Sequence, residues 1–292
     1  MMGLNRQKII LGSVFLGLPL AWLTFFVVFP ILLVVYLSFT SYDILGSPKW
    51  IGLLNYEDLL DDDVFWTAVL NTAYYTIVTV PVGMALSLLL ALFINRRLPG
   101  VGFFRTVYYA PVVAPLVTTA LVWMLFYSET TGLFNYLLAL LGFAPKQWLS
   151  SSTWAMPSVI VMSIWKGLGF NMVIFLAGLQ SIPRELYEAA SLDGAGSTSS
   201  FRYITLPLLA PSTVYVTITS IIASFQVFSQ VFVMTGGGPN NSTTTIVHQI
   251  YRTAFVHLEV GYASAMALAL FVILVAVSMV NLRLVARKEI YG

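Results

Sequence analysis

Six long apolar runs, covering residues 9–36, 68–94, 106–126, 154–179, 206–234 and 263–285, constrain this chain more than any other feature of its sequence. Each is as long as the roughly 20 residues that a helix needs to cross the hydrocarbon core of a bilayer. Charged residues make up 9% of the 292 positions and mean hydropathy is +0.88, so too little charge is present to clothe a water-facing surface. Soluble domains carry about 25% charged residues. The runs are continuous rather than alternating, which disfavours a membrane β-barrel. An all-α, polytopic membrane protein with six transmembrane helices in one domain, 1–292, is therefore expected. The first run follows Arg6 and Lys8 but is too long for a secretory leader and lacks a small-residue cleavage site, so it reads as a retained span. Prolines at 19, 30, 81, 111, 115, 207 and 211 predict kinks or shifted boundaries, which neighbouring helices tolerate by satisfying the freed carbonyls.

Orientation follows from Lys and Arg in the short connections. With the amino terminus placed inside, Arg6, Lys8, Arg96, Arg97, Arg105, Arg184, Arg202, Arg283, Arg287 and Lys288 lie inside, and Lys49, Lys146 and Arg252 outside, a ten-to-three split. Both termini are thus expected in the cytoplasm. Acids gather in the first outer connection, at Asp43, Glu57, Asp58, Asp61, Asp62 and Asp63, where a solvated face is the simplest reading.

Several chemistries are excluded. Cysteine is absent, which removes disulfides, thiol catalysis and Cys-ligated metals. His248 and His257 have no spaced metal-ligand partners. No paired catalytic carboxylates, nucleophile–base pair or basic nucleic-acid patch is present, and no G-x-x-x-x-G-K-[ST] loop to cradle a nucleotide. An ion-coupled transporter or channel subunit is the competing class. It needs ionisable groups inside the membrane, whereas the interiors of the runs hold no Asp, Glu or His.

One connection is unlike the others. Residues 181–205 read as a short helix with Ser181 as cap, Pro183 in the first turn and Glu185 at its positive end, stopped by Gly194 and Gly196, after which Ser197 caps a second helix. An interfacial elbow that merely joins two spans satisfies the same pattern. Its residues add more: Glu188-Ala189-Ala190, then Gly194, then Ile204-x-Leu206-Pro207 reproduce EAA-x3-G-x9-I-x-L-P. This long pattern resembles the coupling loop of ATP-binding-cassette importer permeases. Gly52-Leu-Leu-Asn-Tyr56, the stretch from Phe65-Trp66 to Asn71-Thr72, and Gly236-Gly-Gly-Pro239 look like the carbohydrate-uptake branch, with its maltose-type and glycerol-3-phosphate-type permeases. The chain departs from the maltose-type first permease in lacking its extra amino-terminal spans and large outer domain.

The resemblance implies a type I importer permease in the inner membrane of a prokaryote, with a cytoplasmic coupling helix. It implies that Glu188, Ala189, Ala190 and Gly194 seat in a cleft of an ATPase subunit. Two such subunits, carrying ATP and Mg, would act with a second permease, a different chain in the family pattern, and with an extracytoplasmic solute-binding protein. This chain holds no cofactor of its own, contacts membrane lipid and binds no nucleic acid. The expected solute is a di- or oligosaccharide, with glycerol 3-phosphate or another polyol phosphate as the alternative. Positions on the helices flanking the coupling loop are expected to line the pathway: Ser163, Lys166, Gly167, Phe170, Asn171, Ser220, Ser224 and Gln226. Lys166, the one charge near the middle of a run, reads equally as a counter-charge for solute and as a structural lysine that snorkels or pairs with a partner. The serines read first as groups that bond their own helix.

Overall fold

The computed structural model describes Gly12, residues 15–95 and residues 100–290; of 282 and 284–290 the backbone alone is described. The start of the first run, together with Arg6, Lys8, Arg96 and Arg97, lies outside the described residues, as do the side chains of Arg287, Lys288 and Glu289. The fold is helical, with one two-stranded hairpin. Among the described residues four helices are long and apolar enough to cross a membrane, or six when two sharply bent pairs each count as one span. The chain divides into two compact units: the part through Asp62 with Ile250–Ile273, and Asp63–Gln249 with Leu274 onward.

In the first unit, helix α1 (Phe15–Leu37) is apolar on every face and almost wholly exposed. It widens to a π turn at Thr24–Val28, where the Phe29 N–H reaches the Thr24 carbonyl. Pro30 sits just beyond, and its missing N–H leaves the carbonyl four residues back without the ordinary helical partner, so the register slips by one. Strands β1 (Thr40–Ser41) and β2 (Lys49–Trp50) pair antiparallel, Thr40 opposite Trp50 and Ser41 opposite Lys49. Helix α2 (Leu54–Asp61) is pinned through Asn55, whose amide donates to the Ser38 and Thr40 carbonyls at 2.8 and 3.0 Å, and through Tyr56, which donates to the Ser38 hydroxyl at 2.7 Å.

The second unit contains α3 (Asp63–Ile94), α4 (Val101–Val113), α5 (Leu116–Phe126), α6 (Leu133–Leu140), α7 (Ala155–Ser181), α8 (Arg184–Leu192), α9 (Ser197–Leu208), α10 (Ala210–Phe225), α11 (Ser229–Met234) and the start of α12 (Ile246–Tyr251), whose Ile250 and Tyr251 fall in the first unit. A last long helix, α13 (Val260–Ile290), begins in the first unit and ends in the second.

Two runs expected to be continuous are broken. The third is α4 and α5, bent by 101° at Ala114–Pro115, both in extended backbone. Pro115 has no N–H to return to the Pro111 carbonyl, so the helix stops. The fifth, expected over 206–234, is bent by 62° between α9 and α10, ends at Phe225, and resumes as α11 after residues 226–228. Pro207 and Pro211 lie four apart across that bend, so Pro211 likewise withholds a bond from the Pro207 carbonyl.

Two cores hold the second unit. Tyr75, Trp123, Met156, Val159, Met162, Val231 and their neighbours form one, and Ala91, Ile94, Met172, Phe175, Leu179, Leu209 and Val216 the other. Helix α7 contributes residues 156–162 to the first and 172–179 to the second, so its middle turn, between the cores, is left to line something else.

Candidate functional site

That middle turn lines a cavity of about 310 Å³. Helix α3 repeats the arrangement: Tyr75 and Ile94 enter the two cores, while Thr79, Val80 and Gly83 face the cavity between them. Helix α10 supplies Thr219, Ser220, Ala223 and Ser224, and α11 supplies Gln230. Of the eight pathway positions expected from sequence, Ser163, Lys166, Gly167, Phe170, Asn171, Ser220 and Ser224 lie in this one wall. Gln226 does not. The end of α10 at Phe225 turns it outward, exposed, and Gln230 one helical turn later faces the cavity instead. Sequence reasoning missed Tyr75, Thr79 and Gly83 because they lie on an apolar helix with no charge to mark them.

The polar groups of the wall differ in what they leave free. Ser163 donates to its own helix, at the Val159 carbonyl, 2.8 Å away. Asn171 donates to the Ser220 hydroxyl across the cavity at 3.4 Å. The Thr79 hydroxyl is buried with no hydrogen-bond partner. Phe170 is half-exposed and offers a ring face. Lys166 donates to three carbonyls at the break between α4 and α5: those of Pro111 and Ala114, and that of Val112 at 3.3 Å. One turn further along the same face of α7, Gly169 meets α4 so closely that a Cβ there would strike the Tyr108 carbonyl and come within 3.0 Å of the Tyr109 Cα. Gly167, by contrast, has no atom within 4 Å of where its Cβ would stand.

From the cavity α7 runs on to Ser181 and, after Ile182–Pro183, into α8. Ser181 is the last residue of α7 and donates to the Gly178 carbonyl at 2.8 Å, so it is not the cap expected for α8; Pro183 holds that position without a side-chain bond. Ser197 likewise is the first residue of α9 rather than its cap, which is Gly196. Gly194 ends α8 as expected: at φ +80° its N–H reaches Ser191, and the Ala195 N–H reaches back to Ala190 at 2.9 Å. This is the left-handed stop that glycine adopts without a Cβ penalty. Glu188 and Ala189 are exposed and Ala190 partly so, giving a short helix whose Glu-Ala-Ala stretch is left uncovered by the described residues. Its base is fixed: the Tyr187 hydroxyl bonds Thr205 at 2.9 Å, and Gly178 packs against Leu209 and Ser212 with no room for a Cβ.

The Gly-rich connection that holds Gly236-Gly-Gly-Pro239 is tightly bonded. Left-handed backbone at Gly236, Gly237, Asn240 and Asn241 makes the turns. Thr243, Thr244 and Thr245 are fully buried, and Thr245 donates to the Val227 carbonyl at 2.9 Å. Asn71 donates to the carbonyls of Asn241 and Thr244 at 2.8 and 3.0 Å, and Thr72 accepts the Ile246 N–H at 3.0 Å. The Asn71-Thr72 pair therefore ties this connection to α3.

A bent-helix membrane fold with a cavity of apolar and neutral polar groups around one lysine, joined through one helix to an exposed Glu-Ala-Ala lever, defines a transport component rather than an enzyme. The profile of the binding-protein-dependent transport system inner membrane component family matches residues 64–290, and the chain belongs to that family. It is 38% identical to the sulfoquinovosyl glycerol transport system permease protein SmoG of Agrobacterium fabrum, over 91% of this chain and 87% of that one. It is 35% identical to the arabinooligosaccharides transport system permease protein AraP of Bacillus subtilis, over 91% and 85%. A chain of a bacterial ABC transporter that imports the acidic polysaccharide alginate shares the fold, with a TM-score of 0.87 at 24% identity, covering 98% of each chain.

Proposed function

We propose that this chain is the membrane permease of an ATP-driven importer that moves a sugar, a di- or oligosaccharide, into the cytoplasm of a prokaryote. The carrying observation is the path of α7, which lines the polar cavity at its middle and leads straight into the exposed Glu188 helix. Displacement of that helix by a partner moves a wall of the cavity. In this reading two ATPase subunits, which hold ATP and Mg, grip Glu188, Ala189, Ala190 and Gly194. A second permease supplies the facing wall, and a solute-binding protein outside the inner membrane delivers the sugar. Both termini are cytoplasmic, the side to which the basic connections point. The relatives named for a sulfoquinovosyl glycerol and for arabinooligosaccharides support a glycoside as cargo. Alternating access then requires two states that differ in their contacts, with nucleotide favouring one of them.

The test is uptake in vesicles carrying the reconstituted complex with its binding protein. ATP-dependent accumulation of sugar is expected, and Glu188→Lys is expected to abolish it with membrane insertion unchanged. Uptake that survives Glu188→Lys, or that runs on an ion gradient after ATP is depleted, refutes the reading in favour of a secondary transporter.

A further inference from the structure

We infer that Lys166 is a positioning residue that clamps the break between α4 and α5, and that the wall this chain gives the pathway therefore holds no free cation and suits an uncharged, polyhydroxylated solute. The second half deepens the sugar reading above and rests on it. A lysine ammonium has three donors and no acceptor. Three carbonyls take them: Pro111, Val112 and Ala114. All three belong to the end of α4, where Pro115 supplies no N–H and the 101° bend removes the helical partners that the carbonyls would otherwise have. Inside a membrane such carbonyls must find another donor, and the partial negative charge at a helix carboxyl end adds to their attraction for a cation. Gly169 makes the reach possible, because its missing side chain lets α7 and α4 touch one turn away on the same face.

The consequence for the cavity is electrostatic. Among the described residues Lys166 is the one charged group in the wall, and its protons point into the break. The other polar groups of the lining are neutral: the hydroxyls of Ser220 and Ser224 and the Gln230 amide, beside the Phe170 ring. Hydroxyls and amides that both donate and accept, beside an aromatic face, match a sugar ring. The Lys166 ammonium keeps its charge, but with its three protons taken it has none left to donate to a phosphate or sulfonate.

The chain has no cysteine, so a single Ser220→Cys reports on the cavity of the assembled importer. Its modification by two methanethiosulfonates, one bearing a sulfonate and one a trimethylammonium, is followed by the mass of this chain, with Lys166 intact and with Lys166→Met. An engaged lysine predicts that the anion-to-cation rate ratio changes by less than about threefold. A free cation a few ångströms away predicts a fall of about tenfold or more on its removal, and that result overturns the inference. Should Lys166→Met fail to insert, Lys166→Gln, which removes the charge and keeps an N–H donor group, replaces it in the same comparison. Spin labels at Tyr109→Cys and Leu125→Cys, both exposed and on either side of the break, read the clamp itself. Their distance distribution is expected to broaden in Lys166→Met and to be restored in Lys166→Arg, and an unchanged distribution in Lys166→Met overturns the clamp. Uptake of neutral di- and trisaccharides and of sn-glycerol 3-phosphate is measured on the same vesicles. Neutral sugar uptake beside a failed labelling test overturns the Lys166 inference alone. Uptake of sn-glycerol 3-phosphate alone overturns the sugar reading whatever the labelling shows.

Discussion

Two glycines a single residue apart on α7 are expected to respond to alanine in opposite directions. Gly169 faces α4, and a Cβ there would meet the Tyr108 carbonyl and lie 3.0 Å from the Tyr109 Cα, where ordinary contact begins at 3.4 Å. The obstacle is backbone, so it cannot be relieved by a rotamer change. The two helices must part, and Lys166 is drawn away from its carbonyls as they do. Overpacking of this kind costs about 1–3 kcal/mol, and the helix-forming gain of alanine over glycine, about 0.8–1.0 kcal/mol, offsets only part of it. The clamp lost with Lys166 adds further to the cost. Gly167 faces the cavity with nothing within 4 Å, so alanine there keeps the propensity gain with no packing penalty. The propensity gain is common to both variants, so they should differ by the overpacking cost of about 1–3 kcal/mol together with the lost clamp, Gly169→Ala below the native chain and Gly167→Ala at or slightly above it. Thermal midpoints of the detergent-solubilised complex, read by loss of monodisperse elution, measure the order. A Gly169→Ala complex as stable as the native one, or a Gly167→Ala complex that melts first, refutes the close α4–α7 crossing.

Other substitutions test the remaining parts. Gly194→Val places a β-branched residue at φ +80°, a strain of about 1–3 kcal/mol confined to the exposed elbow, so sugar-stimulated ATP hydrolysis should fall while the amount of chain in the membrane stays the same. Thr72→Val leaves the buried Ile246 N–H without its acceptor, at about 1–3 kcal/mol, and should lower the thermal midpoint, whereas Thr72→Ser should not. Asn135 donates to the carbonyls of Glu129 and Lys146 and accepts from the Lys146 N–H and the Trp148 indole at 2.9–3.0 Å, so Asn135→Ala should expose residues 127–153 to protease from outside in intact vesicles. Asn171→Leu removes the amide that reaches Ser220 across the cavity and is expected to impair uptake far more than stability, as compared by transport rate and thermal midpoint.

The motif residues that carried the family resemblance divide into two kinds once they are placed. Glu188 and Ala189 are exposed and Ala190 is half-buried, and among the described residues no contact of their side chains explains their types, which is what a surface for another protein requires, while Gly194 answers the left-handed stop of α8. Asn55, Tyr56, Asn71, Thr72 and Gly237 do the opposite. They tie connections to helix ends, and Gly237 has a Thr244 hydroxyl and the His248 ring where a Cβ would stand. In a sequence both kinds look alike, because a spaced motif records that residue types matter and not what they touch.

Hydropathy and charge alone pointed to the solvent of this protein, to its long apolar helices and to the elbow, because those properties add along the chain and need no knowledge of neighbours. Gly194 was legible for the same reason, since a positive φ after a short helix is a local demand on one residue. The tertiary structure decided what depends on distant backbone. It broke the third and fifth runs where prolines could have produced gentler kinks, turned Gln226 out and Gln230 in, and brought Tyr75, Thr79 and Gly83 to a wall they do not advertise. It also settled what Lys166 touches, because the carbonyls it holds lie some fifty residues earlier in the chain and become free only when that span bends. A lysine in an apolar run announces a partner by its charge; where that partner lies is a property of packing.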